Sequence, residues 1–541
     1  MAKQKKEKSI EETLWDSANK LRGTVESSEY KHVVLGLIFL KFTSDKFEER
    51  RLELIADGKE KYIEMTEFYA QKNVFYLSET SRWNYIIKNA KQNEIALIID
   101  TALHTIEKNN PSLKGALPDN YFSRLNMDVS KLAALLDTIN NIDTLKDKQQ
   151  DIVGRVYEYF LSKFALAEGK GKGEFYTPKS IVNLIAEMIE PYKGVIYDPA
   201  CGSGGMFVQS MKFIESHHGD KKEISVYGQE YTATTYKLAK MNLAVRGISA
   251  DLGAVPADTF GKDQHPDLKA DFIMANPPFN QKDWRAENEL VNDPRWRGYE
   301  VPSKSNANYG WILNMVSKLS DNGIAGFILA NGALSGSGTE YEIRKKLIEN
   351  NLVEAILILP QNMFYTTNIS VTLWIVNNNK KERTIEQNKG TKHYRNREEE
   401  ILFMDLRQIG IPFEKKFTQF SEDNIKQITG AYHNWQQATM INDKLLIVNK
   451  SKGINNSLLT INHYKDIPEF CYSAKKEEVA KKDYSLVPSK YIEFVNRDEN
   501  IDFDTKMKGL QTEFAELLKT EEQSKSDLLD VFKELGYEIE L

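Results

Sequence analysis

Along the first 165 residues, apolar positions recur at helical spacing. Leu14, Ala18, Leu21 and Val25 fall on one side, and the stretch 33–47 continues the pattern. A Trp-containing segment, SETSRWNYI, interrupts it, and amphipathic runs resume at 94–108 and 130–142. The segment DIVGRVYEYFLSKFA then places Val153, Val156, Tyr157 and Phe160 on one side. Residues 1–165 are therefore expected to form a helical N-terminal domain whose aromatic residues are bundle core.

At 168–173 the chain reads EGKGKG, a flexible and positively charged loop, and beyond it the period changes. Short β-rich runs alternate with helical ones: VIYDP, a helix over 207–217, SVYGQE, a helix over 232–246, then ADFIMAN. A long Asn/Pro/Trp-rich loop over 279–308 precedes a helix over 309–319, the strand GIAGFILA, a helix over 340–350, VEAILILP and SVTLWIVNN. Strands separated by helices predict an α/β domain with a doubly wound sheet, spanning 166–435. The last two strands are joined too closely for a helical crossover, which predicts one antiparallel strand at the end of the sheet. The charged stretch 377–400 reads as an exposed insertion. Residues 436–541 form a C-terminal region ending in one long helix over 502–541. No internal repeat is evident.

Composition narrows the class. With 541 residues, 41% hydrophobic and 28% charged, the chain is globular rather than disordered or fibrous. Lys+Arg of 72 against Asp+Glu of 78 leaves a net charge of -6, whereas a protein holding nucleic acid by bulk charge alone is normally basic. Any such binding must use local basic groups or a partner. Two cysteines, Cys201 and Cys471, exclude a disulfide framework and a Cys-rich zinc site, and no metal centre is expected. No run of 18 apolar residues exists and MAKQKKEKSIEE lacks a signal-peptide core, so the expectation is a soluble cytoplasmic protein with no membrane association.

Three segments carry chemistry. In GVIYDPACGSGG a strand ends at Asp198, and Gly202, Ser203, Gly204 and Gly205 turn the chain into a helix. Glycines there allow positive φ and close approach of backbone N–H groups to a ligand. Alone, such a turn suits any dinucleotide, although the spacing is not GxGxxG, which weighs against a dehydrogenase. Glu230 ends the next strand, where a carboxylate accepts hydrogen bonds from ribose hydroxyls; an isolated acid at such a place is an ordinary cap or loop residue. ADFIMANPPFN then sets Asn276, Pro277, Pro278 and Phe279 directly after an apolar strand. The prolines stiffen the turn and remove donors, so the Asn276 amide oxygen and the Pro277 carbonyl can accept both N–H bonds of a planar exocyclic amine such as adenine N6. Phe279 would stack on the base.

These segments resemble the cofactor and catalytic motifs of adenine-N6 DNA methyltransferases. Glu174, Phe175, Tyr176, Thr177, Pro178 and Lys179, upstream of DPACGSGG, resemble the extra cofactor motif of the subgroup in which that element comes first. More narrowly, LWDSANKLRGTVESSEYKHVVLGLIFLKF, DIVGRVYEYFL, GEFYTPKSIVNLI and DYSLVPSKYIE make nearly the whole chain resemble the modification subunit of type I restriction–modification systems. The four-residue motif alone does not separate DNA from RNA or protein-glutamine methyltransferases; the flanking regions do. A catalytically silent scaffold is the other reading, against which the intact NPPF stands.

The resemblance implies a Rossmann-like methyltransferase sheet and S-adenosyl-L-methionine as cofactor. Glu174–Lys179 and Gly202–Gly205 would line its site, Asp198 would lie near the methionine end, Glu230 would bind the ribose and Asp258 would meet the cofactor adenine. Asn276 and Pro277 would hold a flipped adenine with Phe279 stacked on it. The loops 168–173 and 281–308 would touch phosphates. The implied partners are double-stranded DNA, a specificity subunit, a second copy of the modification subunit and a restriction subunit. Met507, Leu510, Phe514, Leu517, Leu528, Val531 and Leu535 form a heptad seam, broken by Glu521 and Ser524, that would pack on helices of the specificity subunit.

Overall fold

The computed structural model describes residues 10–19, 27–125, 127–142, 159–160, 163, 177–364, 368–387, 390–414, 416–437, 464–495 and 503–534. They fall into two compact units, one to Ile492 and one from Glu493. Among the described residues no helix is long and apolar enough to cross a membrane.

Among the described residues the N-terminal region is mainly helical, with Ser27–Ala56, Ile95–Asn109 and Val129–Asn140 as its main rods. Val33, Leu37, Leu40 and Phe47 of the first meet Ile99, Leu103, Ile106, Leu135 and Leu136 in one core. Polar groups fix the packing. Trp83 Nε1 donates to Asn140 Oδ1 at 2.9 Å, and the buried Asp100 carboxylate accepts from the Phe122 and Ser123 amides at 2.9 and 2.8 Å. The interrupting segment is itself ordered: Trp83–Lys88 is a short helix with Trp83 buried. Val153, Val156 and Tyr157 lie outside the described residues.

The second half of this unit is built on one nine-stranded sheet. Its strands are β1 (Gly194–Asp198), β2 (Ile224–Gly228), β3 (Ala250–Asp251), β4 (Ala270–Ala275), β5 (Leu319–Ala330), β6 (Val353–Ile358) and β7 (Val371–Asn377). After the small β8 (Arg383–Gln387) and β9 (Gly390–Tyr394) hairpin come β10 (Glu400–Asp405), the short pair β11 (Ile411–Phe413) and β12 (Phe417–Gln419), and β13 (Cys471–Lys475). The large sheet runs β13-β10-β6-β7-β5-β4-β1-β2-β3. β4, β1, β2 and β3 are parallel to one another and to β5, with helices covering both faces, so the doubly wound α/β expectation holds.

One detail differs. The antiparallel strand is not at the end of the sheet: β7 lies between β5 and β6, antiparallel to both. The short β6–β7 connection dictates the direction, but position is a non-local outcome. All seven β7 residues are buried, which suits an interior slot rather than an edge. Beyond it, β10 adds parallel to β6 and β13 antiparallel to β10, so residues past 435 also enter the sheet. The stretch 377–400 carries the β8–β9 hairpin, on which Thr384, Glu386, Thr391 and His393 are exposed, but Asn377, Lys380, Tyr394 and Arg397 are buried, so the expected exposed insertion is exposed only in part.

The second unit is the 32-residue helix Phe503–Glu534, about 48 Å long at the usual rise. Met507, Leu510, Phe514, Leu517, Leu528 and Val531 are between 41% and 63% exposed along it. Leu535 lies outside the described residues.

Candidate active site

A cavity of about 470 Å³ opens where β1, β2 and β4 end, the place where doubly wound sheets bind ligands. Its wall brings together Thr177, Lys179, Asp198, Gly202, Ser203, Gly205, Glu230, Asp258, Asn276 and Pro278, ten of the residues expected from sequence. Pro178, Gly204, Pro277 and Phe279 adjoin it without lining it. Glu174, Phe175 and Tyr176 lie outside the described residues, as does the loop 168–173.

The floor is the turn after β1. Gly202 and Gly204 sit at φ 53° and 79°, the left-handed region that costs a side chain, and a Cβ on Gly204 would meet Leu243 at 3.3 Å. The Gln229 carbonyl accepts from the Cys201 amide at 2.9 Å, and Thr259 Oγ1 donates to the Pro199 carbonyl at 2.6 Å. Asn242 Nδ2 donates to the Ser203 carbonyl at 2.7 Å, and Arg246 in turn donates to the Asn242 side chain. The turn is thus tied from three directions.

Three acids expected from sequence line the cavity. Glu230 is buried: Oε2 accepts from the Gly202 amide at 3.1 Å and Oε1 from the Thr232 amide at 2.8 Å, and the Thr232 side chain and the Tyr231 amide also bond to this carboxylate. Burial raises its pKa and those amides oppose the rise. Asp198 is more deeply set and accepts from the Ala200 amide at 3.0 Å. Burial, aided by Glu230 nearby and opposed by that amide, pushes its pKa up to about 8. A buried acid this raised is poised for a cationic ligand, which would return it to the ionised form. Asp258 also lines the cavity, with its carboxylate accepting from the Phe260 and Gly261 amides at 3.3 and 3.0 Å. Beside it stands an aromatic wall that sequence reasoning missed: Trp284 and Trp311 each lie 4.3 Å from the Phe260 ring, centroid to centroid. Tyr231, 74% exposed at the rim next to Glu230, was missed too. The pattern suits a ligand with a cation at one end, vicinal hydroxyls in the middle and a flat ring at the other.

Asn276 forms the opposite wall. Its Nδ2 donates to Thr177 Oγ1 at 3.0 Å, while Oδ1 is buried and accepts nothing. A buried acceptor without a donor is costly, and one held in a cavity wall marks the place for a ligand N–H. Phe279 is half-buried and meets Phe364 edge-on, with centroids 6.0 Å apart at 78°. The turn is pinned behind by a reciprocal pair: Asn308 Oδ1 accepts from the Asn280 amide at 3.0 Å, and Asn308 Nδ2 donates to Asn280 Oδ1 at 2.9 Å.

In the loop 281–308, Lys282 and Arg297 are exposed, whereas Arg285 and Arg295 are engaged by the protein itself. Arg285 donates to the carbonyls of Ala286, Glu287, Glu289 and Pro302. Arg295 pairs with Asp293 at 2.7 Å and donates to the Thr259 and Phe260 carbonyls, both at 2.7 Å. Backbone carbonyls without ladder partners take these guanidinium donors, so Arg285 ties the loop to itself and Arg295 clasps it onto the turn carrying Asp258.

Comparison with known proteins identifies the family. The family model for N-6 DNA Methylase matches residues 148–500, and that for the HsdM N-terminal domain matches 10–142. The HindI type I restriction enzyme methylase subunit of Haemophilus influenzae is 40% identical over 457 residues, 83% of this chain and 94% of that protein. The MjaIX methylase subunit of Methanocaldococcus jannaschii is 35% identical over 548 residues, 98% of this chain and 92% of that protein. In fold, the chain is similar to the type I restriction-modification system methyltransferase subunit from Streptococcus thermophilus, with TM-score 0.70 and 22% identity over 90% of this chain and 99% of that one.

Proposed function

The chain belongs to the N-6 DNA methylase family and is an S-adenosylmethionine-dependent adenine-N6 DNA methyltransferase of the type I restriction–modification kind; from that premise we propose how its own residues divide the work. Asp198, Glu230 and Asp258 hold S-adenosyl-L-methionine by its cationic end, ribose and base, with Gly202–Gly205 beneath it and Thr177 and Lys179 at its side. The donor set fits this group, since the buried Asp198 carboxylate accepts from one amide, Glu230 lines the cavity beside it and an aromatic wall stands beside Asp258. When bound, the cofactor supplies an electrophilic methyl carbon.

Asn276 Oδ1 and the Pro277 carbonyl accept the two N–H bonds of the target amine, keeping its lone pair free and directed outward. Catalysis then comes from orientation rather than from a strong base. The adenine must leave the base stack to arrive there, and Phe279 offsets part of that cost by stacking on it. The unpartnered Oδ1 of Asn276, on an amide whose other end is fixed by Thr177, is the observation that carries this reading.

The wider assembly follows from the exposed seam of Phe503–Glu534. We assign the chain a helical region over 1–165, a methyltransferase region over 166–435 and a C-terminal region over 436–541 whose helix packs on a specificity subunit. Two such chains would serve one specificity subunit on double-stranded DNA in the cytoplasm, with a restriction subunit joining the complex. The test is methyl transfer from tritium-labelled cofactor by the chain with its specificity subunit. Label is expected in adenine of unmethylated double-stranded DNA and not in RNA or protein; label in RNA or protein instead would refute the reading.

A further inference from the structure

The helix Ala233–Ala244 belongs to two cores at once. Tyr236, Ala239 and Leu243 are part of the apolar core that also holds Met206 and Phe207 of the helix following the glycine turn. Leu238, Met241 and Val245, just past its end, belong instead to the core of the N-terminal bundle. Lys240 reinforces the second attachment by donating to the Lys114 carbonyl at 3.1 Å. Side chains three and four apart share a helix face, so this one rod presents one stripe to the sheet and another to the bundle.

Between those stripes stands Asn242. It is buried, lines the active-site cavity and donates to the Ser203 carbonyl at 2.7 Å. Leu243 supports Gly204 from the same side. The seam toward the bundle is not filled along its length. A cavity of about 410 Å³ lies at the start of the helix, among His32, Tyr121, Lys237 and Met241, and one of about 360 Å³ at its end, beside Phe42, Phe75 and Val245. The bundle therefore meets this helix through a narrow apolar contact, with open space at either end.

We infer that Asn242 is a positioning residue for the cofactor turn, and that the N-terminal bundle sets its position through Leu238 and Met241. Cofactor affinity is then a property of how the bundle seats on this helix, as well as of the residues that touch the cofactor. The inference rests on the cavity being the cofactor site.

The test is a double-mutant cycle in the full-length chain, read as the dissociation constant of S-adenosylhomocysteine by calorimetry. Met241→Ala removes a bundle-facing side chain that does not line the active-site cavity, and Asn242→Ala removes the tie to Ser203. Each alone is expected to raise the constant about tenfold, and the double variant to bind no more weakly than the weaker single one, because both act through one bond. Met241→Leu is expected to restore binding. Should thermal melting show Met241→Ala unfolded, Leu238→Val takes its place in the cycle. An unchanged constant in the bundle-facing variant, or additive losses in the double variant, would overturn the inference while leaving the cofactor reading intact. Failure of the wild-type chain to bind S-adenosylhomocysteine would overturn both.

Discussion

Thr177 Oγ1 accepts a hydrogen bond from Asn276 Nδ2 at 3.0 Å, joining residues 99 positions apart. The bond leaves Oδ1 as the amide's one open acceptor. Thr177 thus orients Asn276 from outside the NPPF turn. Thr177→Val keeps the shape and removes the acceptor. It is expected to lower kcat at saturating cofactor by about a hundredfold, the scale for misplacing a reacting group, whatever change its place beside the cofactor brings to cofactor affinity. Thr177→Ser should stay close to wild type. Steady-state methyl transfer separates the two effects, and equal losses in the Ser and Val variants would disconnect Thr177 from the amide.

Asp198 links cofactor binding to pH. In the free chain its pKa is pushed up to about 8 by burial, so at pH 7 the carboxyl is largely protonated. A bound cation favours the ionised form and lowers that pKa. Binding therefore releases a proton at pH 7, and affinity rises with pH until it levels off above about pH 8. Calorimetry in buffers of different ionisation enthalpy measures the proton directly. Asp198→Asn should bind more weakly and without proton release. A buffer-independent binding enthalpy in the wild-type chain would remove Asp198 from contact with the cation.

Phe279 is half-buried beside Phe364, which meets it edge-on. Truncation to Ala should weaken target-base stacking by about 1–3 kcal/mol, while Tyr or Trp should be tolerated. A fluorescent base analogue at the target position reports flipping. An unaltered signal in Phe279→Ala would take the ring out of the mechanism.

The exposed seam of Phe503–Glu534 predicts a partner. Deleting 503–541 removes a segment of the separate compact unit that begins at Glu493, so the rest should still fold and bind S-adenosylhomocysteine. The truncated chain should not co-elute with the specificity subunit in size-exclusion chromatography, nor methylate specific sites. Co-elution at full stoichiometry would assign the seam another role.

Local strings made most of the site legible. Asp198 ends β1, Asn276 directly follows β4 and Glu230 lies two residues past β2, each in a turn of recognisable residues, so sequence alone placed them at the C-terminal ends of strands. What escaped was non-local. The interior place of β7 depends on which strands it pairs with, and β13 is five residues long and separated from β10 by 65 positions. Trp311 and Asn242 reach the cavity from helices whose apolar spacing resembles any core helix. The structural engagement of Arg285 and Arg295 was not legible either, since charge on a loop is visible in sequence and the carbonyls that take it are not.

The central claim is that Asn276 holds the target amine and leaves the cofactor to other residues. It is tested most directly by Asn276→Ala, with S-adenosylhomocysteine affinity measured by calorimetry beside methyl transfer to specific DNA in the complex. Transfer should fall to background while affinity stays within about twofold of wild type, as for a residue that acts on the reacting group alone. Loss of cofactor binding in step with activity would contradict the assignment and place Asn276 in the cofactor site.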